Sequence, residues 1–100
     1  MHEFGLYTKF TAREAQRDRL VSILLEAAES MKTVDGCELY VVNIADNDPE
    51  AVWVTEVWCD VAAHQDSLSL DTVQALILQA KSLLASVAQI RLRPVGGKGI

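Results

Sequence analysis

The sequence predicts an α+β fold of the ferredoxin-like type, β-α-β-β-α-β with one antiparallel sheet, and three observations carry that prediction. Gly36 to Asp60, GCELYVVNIADNDPEAVWVTEVWCD, alternates like two half-buried strands joined by an acidic turn. A segment with apolar residues at three- and four-residue steps lies on each side of it. A further strand-like run closes each end of the chain. One hundred residues suit a single domain over 1–100, with 94–100 expected as a flexible tail of low apolar content.

Phe4 to Phe10 is rich in aromatic and β-branched residues and suits the first strand. Thr11 followed by Glu14 has the spacing of a capping box, which predicts a helix starting there. Leu20, Ile23, Leu24, Ala27, Ala28 and Met31 form its apolar stripe, Arg13, Arg17, Glu26 and Glu29 mark its wet side, and Asp35-Gly36 ends the run. Cys37–Ile44 and Ala51–Cys59 are the central strands, with Asp46 to Glu50 as the turn between them. An antiparallel pairing centred on Asn47 and Asp48 would set Tyr40 against Glu56, Glu38 against Trp58 and Cys37 against Cys59. Asp60 can cap a short turn through His64, and Ser69 or Asp71 starts a second helix with Val73, Leu76, Ile77, Ala80, Leu83 and Leu84 on one side. Val87 to Arg93 is the last strand, closed by Pro94.

Both central strands carry large apolar groups on both faces: Leu39 and Val41 alternate with Tyr40, Val42 and Ile44, and Trp53 and Val57 with Val52, Val54 and Trp58. Helices can cover one face only, and half of the residues are apolar, so the other face is expected to bury itself against a second copy of the chain. Several hundred Å² at roughly 25 cal/mol per Å² would favour such a homodimer by many kcal/mol before the entropy of association is subtracted.

The formal net charge is −5, and no Lys or Arg stands between Lys32 and Lys81 against nine acids there, which disfavours nucleic acid as a partner. No stretch approaches a membrane span, and the start lacks the basic and apolar regions of a secretory signal, so a cytoplasmic protein is expected, with Cys37 and Cys59 as free thiols. Metal-ligand spacings, Gly-rich phosphate loops and a G-x-S-x-G elbow do not occur, leaving metal, nucleotide and serine-hydrolase chemistry without support.

Gly36-Cys37-Glu38-Leu39-Tyr40, Asp48-Pro49, Glu56-Val57-Trp58 and Ala63-His64 with Ser67-Leu68 together resemble the antibiotic biosynthesis monooxygenase domains, including small proteins described as quinol monooxygenases. The resemblance covers nearly the whole chain. It implies a dimeric α/β barrel with a pocket in each subunit between sheet and helices, where some members oxidise a phenol or quinol with molecular oxygen and no flavin, metal or haem. A cofactor is accordingly not expected. Other relatives degrade haem, but these would be expected to carry an axial His on the second helix and an Asn on the first strand. Here the helix after Asp71 has no His, and the first strand offers Gly5, Leu6 and Tyr7.

Oxygen takes an electron far more easily from a phenolate than from a phenol, so such a reaction calls for a general base. His64, with an imidazole that titrates near neutrality, is the candidate, against the plainer role of a solvent-exposed helix-entry side chain; His2, beside the terminus, is not. Trp58 shares a strand face with Glu56, and the assumed pairing adds Tyr40 and Glu38. Trp58 could stack on a planar substrate and Tyr40 donate to its oxygen, or both could simply fill the core or the dimer seam. Glu56 is a second possible base if burial raises its pKa, or a structural partner of the tyrosine hydroxyl. Arg91 and Arg93 could neutralise a carboxylate or an anionic substrate, though surface pairing explains them as well. The expected function is oxygenation of a small aromatic or quinol-type substrate, the alternative a non-catalytic module of the same fold that binds a small hydrophobic ligand.

Overall fold

In the computed structural model, which describes residues 3–99, the chain runs β1 (Phe4–Ala12), α1 (Arg17–Met31), β2 (Cys37–Ala45), β3 (Asp48–Trp58), α2 (Val61–Ser67), α3 (Asp71–Lys81) and β4 (Leu84–Leu92). The strands form one antiparallel sheet in the order β2-β3-β1-β4, the ferredoxin-like arrangement, with the short α2 added before the main second helix. His2 lies outside the described residues, as do Met1 and Ile100.

The pairing of β2 with β3 follows the expected register over its central part, with Tyr40 opposite Glu56 and Val42 opposite Val54. At its open end the register slips: a bulge between Cys37 and Leu39 sets Cys37, not Glu38, against Trp58, so Cys37 does not face Cys59. Both cysteines are free. The turn is also tighter than expected. Ala45 pairs with Asp48, and Pro49 sits inside β3, where its missing donor is tolerated because the pairing of β3 with β1 begins only at Ala51.

The capping box does not form. Thr11 is a strand residue paired with Ala51 on one side and Ser86 on the other, and α1 starts only at Arg17, after Gln16, which makes no side-chain cap. Two long-range ladders outweigh one local hydrogen-bond pair, and the chain turns afterwards through Ala15 at φ 64°. β4 likewise begins three residues earlier than expected, at Leu84, because its ladder with β1 extends to Ala12.

Alternation then assigns the two faces. Phe4, Leu6, Thr8 and Ala12 of β1 and Val52, Val54 and Trp58 of β3 are buried beneath the helices, against Leu20, Ile23, Leu24, Ala27 and Met31 of α1 and Val73, Leu76 and Ala80 of α3. On the opposite face Tyr7, Leu39, Val41, Ile90 and Leu92 are exposed, Ile90 by 54% and Leu92 by 49%. Among the described residues no helix is long and apolar enough to cross a membrane.

Candidate functional site

A chamber of about 420 Å³ lies between the helix-bearing face of the sheet and α1, α2 and α3. Tyr40, Glu56, Trp58 and His64 all line it. Three of them arrive by strand period: Tyr40 stands opposite Glu56 across the β2/β3 ladder, and Trp58 follows Glu56 by two residues on the same face. His64 arrives by a helix cap. Asp60, with extended backbone, accepts the Ala63 N–H at 2.8 Å, and the first turn of α2 that this starts brings the imidazole to the Trp58 end of β3. The turn is drawn close to the sheet at Gly36, where a Cβ would run into the Ala63 side chain.

The geometry links the four side chains unevenly. The Trp58 indole Nε1–H donates to Glu56 Oε1 at 3.0 Å, and His64 Nε2 lies 4.0 Å from the same oxygen. The imidazole meets the Trp58 ring edge-on, with centroids 5.3 Å apart, and also packs against Phe4, with centroids 5.3 Å apart. Arg91 places its guanidinium 5.0 Å above the Phe4 ring, so the ring that packs on the imidazole also carries a cation. Ser67 donates to the His64 carbonyl at 2.6 Å and holds the turn. Trp58 is only 1% exposed, which makes it part of the core as well as a wall of the chamber.

Burial sets the electrostatics. It pushes the Glu56 carboxyl above the ordinary carboxylate range, a rise that the Trp58 hydrogen bond partly opposes. It holds His64 below the usual histidine value, with the nearby Arg91 charge acting in the same direction. The Tyr40 hydroxyl is pushed up by burial first and by Glu56 second, so it keeps its proton and remains a donor. Burial, aided by Glu56, raises the Cys37 thiol to about 11. Among the described residues no group of three or more His, Cys, Asp or Glu side chains is placed to hold a metal ion.

Glu38, grouped with these residues by the expected register, is exposed and does not line the chamber, because the bulge displaces it. Sequence reasoning missed Phe4, Thr8, Gln89 and Lys81. Thr8 is 1% exposed and receives the Gln89 amide N–H at 3.2 Å across the β1/β4 pair. A lone hydroxyl within the alternation Phe4, Leu6, Thr8, Phe10 was the available signal for it; Gln89 and Lys81 carry none.

Comparison with known proteins extends the picture. A family model described as antibiotic biosynthesis monooxygenase matches residues 4–77. A candidate antibiotic biosynthesis monooxygenase from Chloroflexus aurantiacus J-10-fl superposes with a TM-score of 0.90 at 41% identity, covering 98% of each chain. Candidates of the same description share the fold at lower identity. The one from Caulobacter crescentus CB15 has a TM-score of 0.88 at 16% identity, covering 95% of this chain and 92% of its own. The one from Deinococcus radiodurans has 0.83 at 22%, covering 97% of each. No curated protein sequence matches the chain.

Proposed function

Since this chain belongs to the antibiotic biosynthesis monooxygenase family, we propose that its chamber oxygenates a small phenol or quinol with molecular oxygen, without a bound cofactor. The observation that carries the reading is the convergence of Glu56, Trp58, His64 and Tyr40 on one partly open chamber, with burial favouring the neutral, basic form of His64. His64 takes the phenolic proton, and the Tyr40 hydroxyl donates to the resulting oxyanion. The electron-rich ring then reacts with oxygen. In the simplest case a phenol and one O₂ yield a quinone and one water: one oxygen atom enters the ring carbon, and the other leaves with the two hydrogens that the substrate gives up. Glu56 holds the Trp58 indole in place and receives or returns a proton through His64.

The chamber size falls within the range of small-molecule sites, roughly 300–1,000 Å³. The same family membership supports a homodimer closed over the open face of the sheet, and the cytoplasmic setting remains a proposal that rests on the sequence features alone. Oxygen consumption with a hydroquinone panel tests the reaction in the wild type, His64→Ala and Trp58→Phe. The expected outcome is a loss of about 10²-fold or more in His64→Ala, in the range of general-base catalysis, and equal rates in all three proteins would remove these residues from the mechanism.

One observation favours a second reading, a ligand-binding module without turnover. Trp58 is buried and its N–H is already taken by Glu56, as expected of a wall rather than of a stacking platform. Saturable thermal stabilisation by a quinol, with no product formed, would select that reading.

A further inference from the structure

We propose that Lys81 anchors an anionic group at the far end of the chamber, so that its ligand is an elongated phenol ending in a carboxylate or a similar anion, not a compact neutral ring. The proposal rests on the chamber being the ligand site. Its length comes from the register. Glu56 stands opposite Leu6, and Leu84 stands opposite Ala12, so the lining follows β1 for six residues, on the order of 20 Å at about 3.3 Å each.

The two ends differ in chemistry. Glu56, Tyr40 and His64 gather at one, and Leu24, Leu76 and Phe10 line the stretch between. Lys81, the last residue of α3, lines the other end, where Leu83 N–H bonds to Ala80 O at 2.9 Å and Arg13 N–H to Leu83 O at 2.7 Å, fixing the helix end against the end of β1. Lys81 is the sole Lys or Arg among the described lining residues, and none of their ion pairs includes it. Its plainer role is to face the negative end of the α3 dipole, which a cation does without discriminating among ligands. The lysine side chain takes up part of the span, leaving on the order of 15 Å between the phenol-binding groups and the ammonium.

Anaerobic calorimetric titration separates the two roles, using 8-(4-hydroxyphenyl)octanoate, its primary amide, and the short acid 4-hydroxyphenylacetate with its amide. Wild type is expected to bind the long acid about fivefold more tightly than the long amide, the size of one exposed charge pair, with the preference shrinking as salt rises and absent for the short acid. Lys81→Met should erase the preference, with at most the small loss of melting temperature expected from removing a cation at the end of α3, and Lys81→Arg should keep it. Equal affinity of long acid and long amide for the wild type, or a preference that survives in Lys81→Met, overturns the proposal. If no member of the series binds, the chamber is not the ligand site, and both this proposal and the oxygenase reading fall. Charge-selective binding of the long acid, with no oxygen consumed when the same acid is then presented aerobically, supports the Lys81 anchor and overturns only the oxygenase reading.

Discussion

The two faces of the sheet are built from equally apolar strands and meet different fates. Beneath the helices Val52 and Val54 are fully buried, while two strands away, on the other side, Ile90 and Leu92 stand half in water with Tyr7 and Trp53 in contact at 5.0 Å beside them. The helical side also admits polar groups, Glu56, Thr8 and His64, which the open side would tolerate more cheaply. Hydrophobicity alone therefore does not separate core from surface here. What distinguishes the sides is that one has found its cover within the chain and keeps a polar-edged hollow under it, whereas the other presents a broad apolar surface of the kind that marks an interface.

Matched deletions on the two sides give the largest contrast. Leu20 of α1 is completely buried on the covered side of the sheet, and Leu20→Ala is expected to cost about 2–5 kcal/mol in urea unfolding. Ile90→Ala, removing a similar volume from the open face, should stay within about 0.5 kcal/mol for the isolated subunit. Similar losses at both positions in the dissociated subunit would mean that the open face is covered from within the chain. The double substitution Ile90→Asp with Leu92→Asp sharpens the same point: wild type should scatter light as a dimer of 11.0 kDa chains at micromolar concentration, and the charged variant as a monomer. A wild-type monomer would break the comparison at its root.

Much of the fold was legible because period-two alternation in β2 and β3 and period-3.6 alternation in α1 and α3 are signals carried by neighbouring residues. The register from Leu39 to Ile44 was recoverable from the position of the turn, and that register placed Tyr40 and Glu56 together. The bulge at Glu38 was not, since it answers to packing at the far end of the hairpin. The Thr11/Glu14 motif misled for the opposite reason: it is a valid local signal, overruled by ladders to Ala51 and Ser86, residues remote in sequence. The same remoteness hid half of the chamber. Gln89 reaches Thr8 only through the pairing of β1 with β4, and Lys81 joins the lining only from the far end of α3, whereas His64 was legible from its neighbour Asp60, a strong cap residue.

A smaller effect is expected at the margin of the covered face, where Gly36 lets α2 close over the sheet. Gly36→Ala places a methyl group against Ala63, and overpacking of this kind costs about 1–3 kcal/mol. Because Ala63 precedes His64, the variant should also weaken quinol binding. Gly36→Ala with Ala63→Gly restores the space, and recovery of the melting temperature in the double variant would tie the loss to that one contact. No recovery would mean that Gly36 serves its backbone and not the closure of α2.

The subtlest test concerns Glu56, the acid that the covered face admits. Burial raises its pKa in the folded protein, so between the ordinary glutamate value of about 4.3 and that raised value the folded state holds more protons than the unfolded state, and stability falls as pH rises through this window. Glu56→Gln removes the titrating group while leaving an oxygen that can accept the Trp58 N–H. Relative to wild type, the variant is therefore expected to gain stability from pH 4 toward pH 8, measured as the difference in melting temperature at each pH. His64 contributes with the opposite sign in both proteins: with its pKa depressed, the unfolded state takes up the proton first as pH falls below about 6.5, and stability drops toward acid. Comparing variant with wild type cancels that contribution to first order. A difference that stays flat across the range would show that water reaches Glu56 freely, and the chamber would then be as wet as the face opposite it.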